Sequence, residues 1–291
     1  MGQGEGVRLQ TLRFESPAGP WSLHLWTPAA DLREHVAGLW ATEARTVAFR
    51  ERVLPRQSVE LMINFGGPQH LHLHEAAHAT RIFRRSWVSG LQTACLEIES
   101  PTAAQLIAAS LHPAHAGPLL GIAGGELTGR VVALDEVIAR EADVLASRLE
   151  ESPSVAGRFL LFEDFLRSRV RCGRWGAHPA VSRAVSRLLA SGGQVAIRAV
   201  AEEIGCSPRY LELRVREETG LSPKQLARLI RFSRCVEQVR AAATVDWGRI
   251  AHSCGYFDQS HFNRDFRRFA GVSPTGFLAA REGSSQGMIL E

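Results

Sequence analysis

The carboxy-terminal third of this chain is written twice, and that duplication limits what it can fold into more than any other feature. Residues 201–223 read AEEIGCSPRYLELRVREETGLSP and residues 251–274 read AHSCGYFDQSHFNRDFRRFAGVSP. Ala201 and Gly205 recur fifty positions on as Ala251 and Gly255. Leu211, Val215, Gly220, Ser222 and Pro223 recur fifty-one positions on as Phe262, Phe266, Gly271, Ser273 and Pro274. The second copy therefore holds one extra residue in its turn. A repeat of this period marks duplicated structural units, but two copies are too few for a solenoid, so the motif inside each copy must explain them. Each reads as a short helix, a glycine-centred turn, a second helix and a Gly-x-Ser-Pro stop, the layout of a helix-turn-helix.

Local punctuation predicts helices throughout this region. Helices are expected from about Ala180 to Ala190 and from Ile197 to Ile204. Ser207 followed by Pro208 is an N-cap with a first-turn proline, and Gly220 is a helix-ending glycine. Ser222-Pro223-Lys224-Gln225 combines a cap, a proline and a capping-box glutamine, and opens a long linker helix. Asp246, Asp258 and Ser273-Pro274 open three more. Ala201 with Gly205, and Ala251 with Gly255, leave room for two helices to pack closely. Leu211 with Val215, and Phe262 with Phe266, supply the apolar face of each second helix. Arg209, Glu212, Leu213 and Arg216 then face outward in the first copy, and Gln259, Ser260, Asn263, Arg264 and Arg267 in the second. Gln and Asn can bond adenine in a bidentate manner, Arg can bond guanine, and Glu can accept from the cytosine amine. Arg267 and Arg268, near the helix end, suit phosphate. A linker of about 17 residues spans roughly 25 Å, which would hold two such helices near the ~34 Å spacing of successive major grooves.

Charge is distributed to match. The chain carries only +4 overall, yet residues 179–281 hold 16 Lys+Arg against 9 Asp+Glu, while the remainder holds 18 against 21. A basic half that also carries the repeat is the footprint expected of a nucleic-acid binder.

On these residues, 180–281 resemble the AraC/XylS-type DNA-binding domain of bacterial transcription regulators. SPRYLELRVREETGLSP matches the first recognition helix and its stop, and DWGRIAHSCGYFDQSHFNRDFRRFAGVSP the second half. The resemblance implies a cytoplasmic, sequence-specific regulator on double-stranded operator or promoter DNA, with RNA polymerase as a partner. One departure stands out. The family usually has a basic or polar residue where Leu213 stands and an apolar one at Arg214; here the order is reversed, and Val215 replaces the usual aromatic. Either the first helix is slightly rotated, or Leu213 makes an apolar contact such as with a thymine methyl; Leu213 and Arg214 both stand among the expected DNA-contact residues.

The expected fold class is α+β: a β-rich domain over 1–134, a helical connector and linker over 135–176, and an all-α double helix-turn-helix domain over 177–283. Strand-like runs lie at 22–28, 39–44, 51–67, 70–74, 86–98 and 105–111, with helical pieces at 30–38 and 115–121. One helical stripe, Val137, Ile138, Val144, Leu145 and Leu149, and another, Val155, Phe159, Phe162, Leu166 and Val170, meet near Ser152-Pro153-Ser154. Glu163-Asp164 on the second helix reads as a solvated face, and residues 171–176 as a linker. LREHVAGLW, ERVLPRQSVELMINFGG, SWVSGLQ and LLGIAGGELTGRVVALDEV look similar to an uncharacterised domain that precedes this DNA-binding domain in some regulators. By analogy it would sense a small-molecule effector, form a homodimer, or both.

His70, His72 and His74, with His78 nearby, are the one chemical cluster of the front half. They read either as a metal site on one strand face or as an exposed histidine-bearing edge. A metal sensor or enzyme fused to a DNA-binding module is the rival reading. It lacks a nucleophile elbow and an activated cysteine, and the expectation is no enzyme and no resident cofactor. The five cysteines are odd in number, scattered and free of Cys-x-x-Cys spacing, as in a reducing compartment. No apolar run is long enough to cross a membrane, and no secretory signal opens the chain.

Overall fold

The computed structural model describes residues 8–16, 19–45, 48–72, 80–100, 103–172, 176–242, 244–280 and 287–289. Alternating side chains in the first half become two antiparallel sheets. The larger contains β1 (Leu9–Ser16), β2 (Gly19–Trp26), β3 (Val36–Arg45), β5 (Val59–Asn64), β8 (Ser86–Ser89), β10 (Ala103–Leu111) and β11 (Val131–Ala133). Its order is β1-β2-β3-β10-β5-β8-β11. The smaller contains β4 (Phe49–Val53), β6 (Gln69–His72), β7 (Thr80–Phe83), β9 (Leu96–Ser100) and β12 (Gly287–Ile289), in the order β12-β4-β9-β6-β7.

Successive strand residues point to opposite faces, so one face of the larger sheet meets the smaller sheet and the other meets helices. Trp40 and Thr42 of β3 and Met62 of β5 face Leu71 of β6 and Ile98 of β9 across a cavity of about 120 Å³. Their sequence neighbours Leu39, Ala41, Leu61 and Ile63 turn the opposite way into the main core. Both faces of β5 are covered, which is why Val-Glu-Leu-Met-Ile-Asn is apolar almost throughout.

The helical layer begins with α1 (Pro113–Leu120), α2 (Gly124–Leu127), α3 (Asp135–Ile138), α4 (Arg140–Glu151) and α5 (Val155–Cys172). Phe159, Phe162 and Leu166 of α5 are fully buried, as their spacing predicts. The carboxy-terminal half is helical: α6 (Pro179–Ala190), α7 (Ile197–Ile204), α8 (Pro208–Thr219), α9 (Pro223–Ala241), α10 (Trp247–Ser253), α11 (Gln259–Ala270) and α12 (Pro274–Ala280). The molecule is thus α+β, β-rich in front and helical behind. No helix among the described residues is long and apolar enough to cross a membrane.

Several expectations are corrected. The helix expected at 30–38 is only a 3-10 turn, Ala30–Leu32, because the chain enters β3 at Val36. The runs 51–67 and 86–98 each break in two, and the halves join different sheets. Val144 is half exposed and leaves its apolar stripe; the kink at Ala139, with φ 48°, separates α3 from α4 and resets the helix phase. Arg171 and Cys172 belong to α5. Glu163 is not a solvated residue. It is 0% exposed and accepts hydrogen bonds from Trp26 Nε1 at 3.1 Å and the Ala29 N–H at 2.8 Å, and also pairs with Arg8 and Arg167. A buried carboxylate is tolerated when it is paired and hydrogen-bonded in this way, and it ties α5 to the front sheet.

Candidate nucleic-acid interface

The two copies fold alike to the level of single hydrogen bonds. Gly205 and Gly255 close α7 and α10 with φ of 80° and 78°, a left-handed conformation that suits glycine. The N–H of the next residue returns to the same carbonyl in each copy: Cys206 to Ala201 and Tyr256 to Ala251, both at 3.0 Å. Cys206 and Tyr256 are therefore equivalent. The caps that follow are Ser207, accepting from the Tyr210 N–H at 3.1 Å, and Asp258, accepting from the His261 N–H at 2.6 Å. Only Phe257 lies between Tyr256 and Asp258, so it is the extra residue of the second turn. Its side chain is 94% exposed. An aromatic immediately before a cap is the signal that reading by residue type passed over.

Inside each copy the expected apolar pairs are buried: Leu211 and Val215 in α8, Phe262 and Phe266 in α11, with Ala201 and Ala251 beneath them. α11 has a further aromatic bed, in which Trp247 and Phe232 lie 5.8 and 5.4 Å from Phe266 between ring centroids. Asp265, also on α11, is 1% exposed. It accepts from Arg228 of α9, Nε to Oδ2 at 3.1 Å with a second bond to Oδ1, and this bidentate pair fixes α11 on the linker helix.

The outward set divides between the two helices. In α11, Gln259, Ser260, Arg264, Arg267 and Arg268 are exposed and Asn263 is half-buried on the same side. In α8, Arg209, Glu212, Leu213 and Arg216 are exposed, with Arg216 3.3 Å from Glu212. Arg214 is half-buried, pairs with Glu217 and reaches Glu218 at 3.2 Å. Glu218 also accepts from the His178 N–H at 3.2 Å, which braces α8 against the start of α6. The exchanged pair thus puts an apolar side chain outside and a cation inside, where carboxylates receive it. α9 has 19 residues, roughly 28 Å at the usual helical rise.

The front half meets α8 and α11 at equivalent points, near Gly220 and Gly271. Thr128 Oγ1 donates to the Thr219 carbonyl at 2.6 Å, one of the groups a helix end leaves unpaired. Gly124 sits so close to α8 that a Cβ there would lie 1.8 Å from the Glu218 carbonyl oxygen. Gly271 faces Arg52 and Cys95. A third contact joins His115 Nε2 to Ser182 Oγ of α6 at 3.1 Å. β12 pairs with β4, so the segment after α12 returns to the front domain.

His70 and His72 share the outward face of β6, and His72 lies 3.4 Å from Glu99. His74 and His78 lie outside the described residues. Among the described residues no three His, Cys, Asp or Glu side chains come together as a metal site would require.

Comparison with known proteins follows the same division. Residues 200–280 match the family described as a helix-turn-helix domain, and residues 24–133 match a domain of unknown function, DUF6597. No curated protein matches the chain. Among solved structures, ToxT from Vibrio cholerae aligns at 13% identity over 83% of this chain and 98% of that chain, with a TM-score of 0.49. The C-terminal domain of AraT, a response regulator from Geobacillus stearothermophilus, aligns at 29% identity over 37% of this chain and 90% of that chain, with a TM-score of 0.35. A DNA-binding transcriptional dual regulator from Escherichia coli K-12 aligns at 26% identity over 34% of this chain and 95% of that chain, with a TM-score of 0.31. The chain thus carries a DUF6597 domain in front of an AraC-type helix-turn-helix domain.

Proposed function

We propose that α8 and α11 enter two adjacent major-groove segments on one face of an operator, and that the two heads contribute unequally. Gln259, Asn263 and Arg264 carry most of the base reading, with Ser260 beside them; Arg209 and Glu212 contribute from α8, and Leu213 offers an apolar contact. Arg216, Arg267 and Arg268 anchor on phosphates, which makes binding salt-sensitive. Arg214 braces α8 through its two glutamates. The observation that carries this reading is the pair of equivalent caps with exposed polar and basic side chains, one at each end of α9.

The domain limits we propose are 1–134 for sensing and dimerisation, 135–176 for the connector and 177–283 for DNA. A small-molecule effector occupies the cavity between the sheets. It acts on DNA binding through the contacts at Gly220 and Gly271, since Arg52 extends from the same strand as the cavity-wall residues Glu51 and Val53. The protein works in the cytoplasm without catalysis, as a homodimer through its front half, and meets RNA polymerase at the promoter.

The test is selection of bound fragments from genomic DNA by the purified full chain, followed by Arg264→Ala on the recovered site. Specific affinity falls by about 1–3 kcal/mol while binding to random DNA is nearly unchanged. Arg268→Ala weakens both alike and lowers the salt slope by about one. Equal discrimination between operator and random DNA in Arg264→Ala removes that residue from the base-reading set.

A further inference from the structure

The walls of the cavity between the sheets are mostly apolar and include the aromatic rings of Trp21, Trp40, Phe49, Phe83 and Trp87. Its polar groups are unevenly satisfied. The Glu60 carboxylate accepts from Trp40 Nε1 at 2.9 Å, Ser58 Oγ at 2.5 Å and Ser110 Oγ at 2.9 Å, and Arg56 lies 3.6 Å away. Gln69 is 3% exposed and accepts from Ser100 Oγ at 3.1 Å through Oε1. Its Nε2 has no partner among the described residues, and neither does the buried Trp21 Nε1. An indole N–H can only donate, so Trp21 settles the sign of the demand: the occupant must bring an acceptor. Buried donors left unpaired disfavour the empty state.

Charge narrows the class. Arg56 is the one cation among the described residues of the wall, and it already answers Glu60 and lies 5.3 Å over the Trp40 ring. A ligand carboxylate would meet no unengaged cation among these wall residues, in a mostly apolar site where unpaired charge is strongly disfavoured. Size sets the remaining limit, since an apolar cavity of about 150 Å³ admits benzene.

We propose that this cavity takes an uncharged aromatic molecule of about one ring bearing a hydrogen-bond-accepting oxygen, as in a ketone or ester, with Gln69 and Trp21 as the donors. The inference rests on the cavity being the effector site. It is tested by saturation-transfer NMR on the full chain with three near-isosteres: acetophenone, benzoate and cumene. Acetophenone binds tighter than either of the others by about tenfold. Gln69→Leu removes its advantage over cumene and leaves cumene binding in place. Trp21→Phe keeps the ring, deletes one donor and reduces the same advantage if Gln69→Leu fails to fold. Benzoate binding as tightly as acetophenone overturns the proposal, as does an advantage that survives in both variants, or no binding of any probe. Operator binding measured on the same samples separates the two readings: intact operator binding with no ligand preference sinks this inference alone.

Discussion

Replacing Arg228 with methionine should destabilise the DNA-binding half more than replacing its partner Asp265 with asparagine, because the two ends of this ion pair lie at different depths. The Asp265 side chain is 1% exposed and that of Arg228 24%. The bond to Asp265 holds the Arg228 guanidinium above its ordinary pKa, so the cation is firmly charged. Arg228→Met leaves a buried carboxylate without its guanidinium and with only the His261 ring 3.9 Å away, a loss of about 3–5 kcal/mol. Asp265→Asn leaves an amide oxygen that still accepts one bond and a guanidinium that can turn toward water, a loss of about 1–2 kcal/mol. Arg228→Met combined with Asp265→Leu removes both charges and should fall within about 1 kcal/mol of the native protein. The assay is urea denaturation of all four proteins, followed by far-ultraviolet circular dichroism and analysed as a double-mutant cycle. Equal losses in the two single variants, or losses that simply add, would refute the argument from depth.

Phe257→Ser should leave stability within about 0.5 kcal/mol, since the ring packs against almost nothing. Operator affinity should fall several-fold with no change in salt slope, because no charge is removed; unchanged affinity in a fluorescence-anisotropy titration would place Phe257 outside the interface. His115 supplies the pH dependence. Burial, with His35 adding to it, lowers its pKa from 6.5 to about 4. Its folded-state pKa is depressed, so its contribution is complete above the unfolded value and is lost as pH falls from about 6.5 toward 4. That loss is on the order of 3 kcal/mol over the window. Thermal melts at a series of pH values should therefore fall steeply there and less steeply in His115→Gln; an identical fall in both would show that His115 is not responsible.

How far the molecule was legible differs between its halves for a physical reason. Helix ends are governed by groups three or four residues apart, so Ser207, Ser222, Asp246 and Asp258 announce their caps in the sequence, and each makes the expected bond. Burial of Leu211, Val215, Phe262 and Phe266 follows from helical spacing in the same way. Strand-like runs in the front half also announced a β-rich domain, but not their partners. β3 pairs with β10 and β6 with β9 across long stretches of chain, and nothing local distinguishes those pairings from others. For that reason 51–67 and 86–98 read as single strands although each serves two sheets.

The sequence by itself determined the duplicated helix-turn-helix, its caps and which side chains of α8 and α11 face the core, because each rests on interactions within one turn of helix. Only the tertiary structure decided that Phe257 is the inserted residue, that Arg214 turns to Glu217 and Glu218, and that Glu163 is a buried tie between α5 and the front sheet. It alone decided, too, that the front domain meets the ends of α8 and α11, at Gly220 and Gly271. These outcomes depend on which distant surfaces meet, and a residue's type and spacing carry no record of the partner it will find across the fold.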